Sequence, residues 1–512
     1  MKEMRKFSLI FALLVVALPA GAKDFYIAAN QASTGSGTGC STAKPVSWFN
    51  NTANWGSGTA QIGPATTVHL CGTFTASPGA NLLTFHHSGT AGTPITLLFE
   101  PGSVLQAPYF GILIHAAINT NGNSWLIIDG GPGHGTIRAT ANGSSLAYHQ
   151  NSLAIYASNC SNCEFRNLTI ANMYVHSSPA DTMMMGQDGC ILFTGNQSNV
   201  SIHSNIMHDV HWCLAYSFGS ADSNLKIYGN TIYNTDHAIA LAGINSNTLS
   251  NVSIYNNHIY SYANWDTGAA NTYHHDGIHA YGSGSSRINN LTIYNNQFDG
   301  PTGRNITGHI FIQSSAGASG VVIYNNLFRV DSAVAGIVRV QSGSNDRIWN
   351  NTFISTFPTA GGCFLSNGGL IGESFENNVM SGCFQFISIK NIYFVNGSPN
   401  HNVYAQGASF NCGTSYFSFS NFPSWQSCIR GDVNSSSAAS AGLSTTGVPL
   451  SGSITIGKAV NLSGSCRGEL SALCKDKNGY PRPASGTWDA GAYQHGTIVQ
   501  PAAPTGLTAT VK

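Results

Sequence analysis

The chain has 512 residues, of which 21 are acidic and 21 basic, so charged side chains make up 8% and the formal net charge is +0. That balance supplies no basic stripe for nucleic acid and no polybasic cluster for an anionic membrane surface. With 42% hydrophobic residues there is ample material for a core, while 57 glycines and abundant Asn, Ser and Thr suit a fold made of many tight turns.

Residues 1–22 read as a secretory leader: Lys2, Arg5 and Lys6 form a positive end, Phe7 to Leu18 an apolar stretch, and Ala20-Gly-Ala22 a small-residue cleavage site. The apolar stretch is too short for a stable membrane span, and nothing later in the chain replaces it. The expected location is therefore secreted, in the extracellular space or at the cell surface. Twelve cysteines, an even number, in a chain bound for an oxidising compartment predict disulfides. Cys40 with Cys71, Cys412 with Cys428 and Cys466 with Cys474 are suggested by proximity. Cys160-x-x-Cys163 has the spacing of a redox or zinc motif, but no second CxxC lies nearby to complete a zinc site.

Residues 23–90 form an expected N-terminal cap region, with a first strand at Asp24-Phe-Tyr-Ile-Ala-Ala29 and a short helix beginning at Ser47-Trp-Phe-Asn50. Gly92-Thr-Pro-Ile-Thr-Leu-Leu-Phe-Glu-Pro-Gly102 follows as a strand closed by a Pro-Gly turn. A motif then recurs: Ile202-His-Ser-Asn205, Ile227-Tyr-Gly-Asn230, Ile254-Tyr-Asn-Asn257, Ile293-Tyr-Asn-Asn296, Ile323-Tyr-Asn-Asn326, Ile348-Trp-Asn-Asn351 and Phe375-Glu-Asn-Asn378. The steps are 25, 27, 39, 30, 25 and 27 residues, a period that means stacked repeats. Apolar residues alternate within each repeat, as in Val200-x-Ile202 and Val252-x-Ile254, which is the period of a strand. Each repeat is too short and too rich in Gly, Asn and Ser for two helices. A solenoid of β-coils over 91–433 is the expectation, with an Asn at a bend of each coil able to adopt a left-handed backbone and bond its stacked neighbours. A closing segment over 434–495 contains Pro481-Arg-Pro-Ala484 and Trp488-Asp-Ala-Gly-Ala-Tyr493, and 496–512 reads as a linker plus one strand.

These repeats, the Gly-Thr-Pro-Ile-Thr segment and Asp276-Gly-Ile278 resemble the right-handed parallel β-helix superfamily of pectate-lyase-like proteins. The closing Arg482-Pro…Trp488-Asp-Ala-Gly-Ala-Tyr493 is similar to the choice-of-anchor Q signature of bacterial secreted β-helix proteins. The tail resembles the first strand of a fibronectin type III module. The resemblance implies an all-β, right-handed parallel β-helix with capped ends, the hand agreeing with the crossover rule for parallel strands. It also implies a substrate lying along a strand face. Asp276-Gly-Ile278 is similar to the Asp-Gly-Ile of polygalacturonases, whose neighbouring Asp-Asp, Gly-His-Gly and Arg-Ile-Lys motifs are absent here.

Reading past each Asn gives a second alignment: Asp188-Gly-Cys-Ile-Leu-Phe193, His211-Trp-Cys-Leu-Ala-Tyr216, Asp236-His-Ala-Ile-Ala-Leu241, Asp276-Gly-Ile-His-Ala-Tyr281 and Gly308-His-Ile-Phe-Ile-Gln313. In it the third and fifth residues, from Cys190, Cys213 and Ala238 to Leu192, Ala215 and Ala240, face inward, while His279, Phe193, Tyr216 and Tyr281 face outward. Cys190 falls one layer from Cys213, as a disulfide or as packed thiols. Asp188, His211, Asp236 and Asp276 form one column, where carboxylates about 5–10 Å apart share a metal ion such as Ca²⁺ or divide into acid and base. His237, His274, His275, His279 and His309 crowd the same edge. The long step before Asp276 adds a loop with Tyr262, Trp265 and Tyr273. Asp276, Asp236, His274, His275 and His279 are the candidate catalytic residues. Tyr281, Trp265, Tyr216, Tyr273 and His309 are the candidate glycan contacts, and Asp188, Asp236 and Asp276 the candidate metal ligands. An Asp before Gly is also a common turn pair, and an isolated surface His commonly has no role. The expected partner is a uronate-containing polysaccharide, with a lyase, a hydrolase and a non-catalytic adhesion or binding protein all open.

Overall fold

The computed structural model describes residues 22–29, 35–177, 188–261, 275–302, 306–314, 318–330, 336–341, 343–356, 361–366, 370–371, 374–389, 394–395 and 399–496. The expected leader, the insertion with Tyr262, Trp265, Tyr273 and His274, and the C-terminal tail lie outside them.

Successive coils pair in parallel and build two sheets, of 18 and 24 strands among the described residues, so the chain is a parallel β-helix. The leading residue of each motif falls in a single row: Ile202 pairs with Ile227, then Ile254, Ile293, Ile323, Ile348 and Phe375. All are buried, each contributing on the order of 1.5–3 kcal/mol. A second internal row, Phe298, Phe328 and Phe353, stacks with ring centroids 4.9 and 4.8 Å apart. Outside, the tyrosines after the leading residues, Tyr228, Tyr255, Tyr294 and Tyr324, stack at 4.8 Å.

The motif's last two positions divide the work of the corner. The third residue takes the left-handed backbone: Asn256, Asn295, Asn325, Asn350 and Asn377, with Ser204 and Gly229 doing the same in their coils. That is a conformation asparagine and glycine tolerate best. The fourth is always Asn, points inward and forms a ladder. Asn257 Nδ2 donates to Asn296 Oδ1 and Asn296 Nδ2 to Asn326 Oδ1, at 3.0 and 3.1 Å. The ladder runs from Asn205 to Asn402.

Parallel stacking already begins in the expected cap region. Lys23–Ala28 pairs residue for residue with Thr66–Cys71, which pairs with Ile95–Phe99. The last parallel rung is Val403–Ala405 with Ser436–Ala438. A four-residue helix, Val46–Phe49, packs Phe49 edge-on against Trp55 and Phe85 at the first end. The helix Phe422–Ile429 lays Trp425 on Phe410, centroids 5.0 Å apart, at the other. Covered ends remove the exposed core and unpaired edges of an open solenoid.

The closing segment then doubles back along the left-handed corner. Asn325 donates to Lys475 O and accepts from Arg482, while Asn377 exchanges two bonds with Val460. The Arg482 guanidinium sits 5.3 Å over Trp488 and also bonds the Gly491 carbonyl. The Arg-Pro…Trp-Asp-Ala-Gly-Ala-Tyr stretch is thus a strap that satisfies the polar groups of the corner. Six disulfides use all twelve cysteines, including Cys40–Cys71, Cys412–Cys428, Cys466–Cys474 and Cys190–Cys213. Cys160 is joined to Cys163, so neither offers zinc a thiolate, and Cys363 to Cys383. No helix among the described residues is long and apolar enough to cross a membrane.

Candidate functional site

The strands after the Asn corner, Gly189–Thr194, Ile206–Ser217, Thr231–Gly243, His275–Gly282 and Ile306–Ser314, stack as the second alignment expects, with one exception. Trp212 pairs with His237, and His237 with Asp276, so Asp276 stands level with His237 and not with Asp236. The His275 side chain lies against Asp236. A slip of one residue exchanges the two faces of a strand; in the lower coils the expected inward facing holds at the third position, where Cys190, Cys213 and Ala238 lie in the core, and is corrected at the fourth to sixth. Ile191, Leu214 and Ile239 stack beneath Ile278 in the core, as do Phe193, Tyr216 and Leu241 beneath Ala280. Leu192 and Ala215 belong instead to a satellite cluster outside the main core.

Two candidate glycan contacts are corrected by the packing. Tyr216 is 2% exposed and lies 5.1 Å from the Phe193 ring within the core, so it offers no sugar platform. His309 is fully buried, with ring centroids 5.5 and 6.1 Å from Phe298 and Phe328. Burial pushes its pKa down to about 3 and keeps it neutral. Tyr281 is half-buried on the outer side, its ring 4.5 Å from His279. Trp265, Tyr273 and His274 lie outside the described residues.

The register interleaves acids with imidazoles. His211 stands between Asp188 and Asp236, with Nδ1 3.4 Å from Asp188 and Nε2 4.0 Å from Asp236. Asp236 also bonds His237 Nδ1 through Oδ1, and its Oδ2 lies 2.5 Å from His275 Nδ1. His237 Nε2 lies 3.6 Å from Asp276 Oδ2, and His279 Nδ1 lies 3.7 Å from that same oxygen. His279 Nε2 is 3.1 Å from Gln313 Oε1, and Gly308 N–H donates to Asp276 Oδ1 at 3.0 Å. The result is a chain running Asp188, His211, Asp236, His237, Asp276, His279, Gln313, whose acids and imidazoles are at most 5% exposed.

Burial alone would raise Asp236, but the imidazoles of His275 and His237 outweigh it and hold the carboxyl well below the usual range. Burial would likewise lower His211, yet Asp188 and Asp236 raise it above an ordinary imidazole. Gly189 admits this close stacking: with φ at 131°, a Cβ there would meet the Trp212 carbonyl at 1.5 Å. The Asp188-Gly189 pair is therefore a steric requirement of the layer above as well as a turn.

A stack of rings crosses the buried chain, with half-buried Trp212 and Arg339 at its two ends. Trp212 packs on His237 with centroids 4.6 Å apart, His237 on His279 at 5.5 Å, and His279 stacks on Phe311 at 5.0 Å. The Arg339 guanidinium then sits 4.7 Å over Phe311. Burial lowers the pKa of Arg339 while Asp276 opposes the shift. Arg339, Gln313 and Phe311 were not among the expected site residues. Their signal is in the sequence, since Gly336-Ile-Val-Arg-Val340 repeats the spacing of Gly308-His-Ile-Phe-Ile312 one coil on.

Ca²⁺ takes about 6–8 oxygen ligands. Here imidazoles separate Asp188, Asp236 and Asp276, so these three carboxylates do not form a shared oxygen shell for Ca²⁺.

No family model matches the chain, and no curated protein does. Among solved structures, pectate lyase Pel9A is 13% identical, over 93% of this chain and 97% of that one, with a TM-score of 0.40. The GH136 lacto-N-biosidase from Eubacterium ramulus is 12% identical over 75% of this chain, at a TM-score of 0.40, and the match spans 64% of that enzyme's length. PfbA, a surface adhesin of Streptococcus pneumoniae, is 13% identical over 69% of this chain and 86% of that one, at a TM-score of 0.42. At this level the likenesses say nothing of this chain's activity or ligand.

Proposed function

We propose that the protein is an exported polysaccharide-active enzyme that cleaves a uronate-containing glycan by β-elimination on this outer face. The observation that carries the reading is a cation, a phenol and a carboxylate-backed imidazole on one strip: Arg339, Tyr281 and His279. Arg339 would hold the uronate carboxylate and acidify the proton α to it. His279, backed by Asp276, accepts that proton as the C=C bond forms and the glycosidic C–O bond breaks. Tyr281, whose pKa burial raises, stays protonated and donates to the leaving oxygen. A hydrolase is less well served. Two carboxylates would have to face each other across the bond, about 5–9.5 Å apart, and here each faces an imidazole. Six disulfides support export to an oxidising compartment.

The second reading, glycan binding without turnover, is favoured by the burial of the acid–imidazole chain. Retention on acidic and neutral polymers tests the glycan face common to both. Arg339→Gln should weaken retention on polyuronates about tenfold and leave neutral polymers unaffected. Equal retention of the variant and the parent on polyuronates would remove this strip from glycan recognition.

A further inference from the structure

We infer that His237, Asp276 and His279 form a binding site for a divalent transition-metal ion of the zinc class. Their three ligating atoms fall within 4.8 Å of one another, and His237 Nε2 and His279 Nδ1 converge on the same oxygen, Asp276 Oδ2, at 3.6 and 3.7 Å. A four-coordinate ion with bonds of about 2.0–2.2 Å sets its ligands roughly 3.4 Å apart, so the two distances to Asp276 are already close to that value and the two imidazoles need to approach each other by up to about 1 Å. Two imidazoles and one carboxylate suit Zn²⁺, Co²⁺, Ni²⁺ or Fe²⁺ rather than an oxygen-seeking ion.

The far side of every ligand is already held, as it is in working metal sites. His237 Nδ1 bonds Asp236, His279 Nε2 bonds Gln313 Oε1, and Asp276 Oδ1 accepts the Gly308 N–H. The Asp236 carboxylate and the Gln313 carbonyl oxygen are acceptors. In the ion-bound form the ring protons sit on Nδ1 of His237, against Asp236, and on Nε2 of His279, against Gln313 Oε1, and both lone pairs face the ion. All three residues are at most 5% exposed, so their attraction for a cation is little screened.

The inference goes beyond the glycan reading. An ion here holds His279 as a ligand, so metal loading should suppress the elimination assigned to that ring, and its binding is measured with no glycan present. The test is calorimetric titration of the oxidised full-length chain, first stripped with a chelator, with Zn²⁺ and separately with Co²⁺, together with the visible spectrum of the Co²⁺ form. One ion per chain is expected, with absorption bands of a four- or five-coordinate site and no displacement by excess Ca²⁺. His237→Gln and His279→Gln should each abolish stoichiometric binding. Gln313→Ala, half-buried and outside the ligand set, should weaken it about 10–100-fold and keeps the test valid if a ligand variant fails to fold. His258→Ala, whose imidazole pairs with Asp299 at 2.8 Å in another column, should change nothing. The proposal is overturned by absence of stoichiometric Zn²⁺, by unchanged binding in His279→Gln and Gln313→Ala, or by displacement with Ca²⁺.

Discussion

Replacing Asn296 by Ala should open the solenoid locally by about 4 kcal/mol, a figure that follows from its four hydrogen bonds. Asn296 Nδ2 donates to Ile254 O at 2.9 Å in the coil before and to Asn326 Oδ1 at 3.1 Å in the coil after. Its Oδ1 accepts from the backbone N–H and the Nδ2 of Asn257, both at 3.0 Å. Alanine leaves the Asn257 N–H, the Asn257 amide and the Ile254 carbonyl short of a partner inside a closed corner, at about 1–3 kcal/mol each. Water entering the space offsets part of that sum. Stacked repeats lose stability locally, through nearest-neighbour terms, so hydrogen exchange is the suitable assay. Protection across the strands flanking Asn257 and Asn296 should fall roughly a thousandfold, since tenfold corresponds to about 1.4 kcal/mol. The control is Asn290→Gly on the exposed outer ladder, where Asn290 donates to Asn251 at 3.1 Å with φ at 55°. Glycine keeps that backbone and should cost a few tenths of a kcal/mol. Similar protection in the two variants would refute the claim that the inner ladder locks the coils.

Two further predictions follow from the packing and the charges. Tyr216→Ala should cost about 3–5 kcal/mol, as core aromatic truncations do, and half-buried Tyr281→Ala roughly 1 kcal/mol, both read by chemical denaturation. Equal losses would contradict the assigned facing. Stability should also fall on acidification through the cluster in which Arg166 bonds Asp129 at 2.8 Å and Glu164 at 2.6 Å. For Asp129, burial raises the pKa but bonds from Asn167, Gly131 and Arg166 outweigh it. For Glu164, the His203 bond leads the lowering, with Arg166 adding to it. Carboxyls held low in the folded state contribute stability above their unfolded pKa of about 4 and lose it as pH falls through the folded values. Arg166→Ala should flatten this acid limb by up to about 1 kcal/mol, the cluster being partly exposed; an unchanged thermal midpoint at pH 3–5 relative to pH 7 would count against it.

The fold was legible because its signal repeats: seven leading residues at near-regular steps define one inward row, and the structure stacks them in that row. The Asn-Asn pairs marked the corner, but only coordinates separate the left-handed Asn295 from the ladder-forming Asn296. The acids of the site were legible as a group, and their interleaving with imidazoles was not. A 39-residue step precedes Ile293, and within so long a coil an Asp276 opposite Asp236 and an Asp276 opposite His237 fit the apolar pattern equally well. The first register turns Tyr216 outward and the second turns it into the core. The strap was beyond local pattern altogether, since Glu469 bonds Ser253 across 216 residues.

The central claim is elimination chemistry on the Tyr281, His279 and Arg339 strip, and release of unsaturated ends from polyuronates tests it most directly. The account predicts that the protein generates them from at least one pectic, alginate or glycosaminoglycan polymer. Tyr281→Phe should abolish them while leaving thermal stability within about 1 kcal/mol of the parent. New reducing ends without unsaturation, or a Tyr281→Phe variant as fast as the parent, would contradict it.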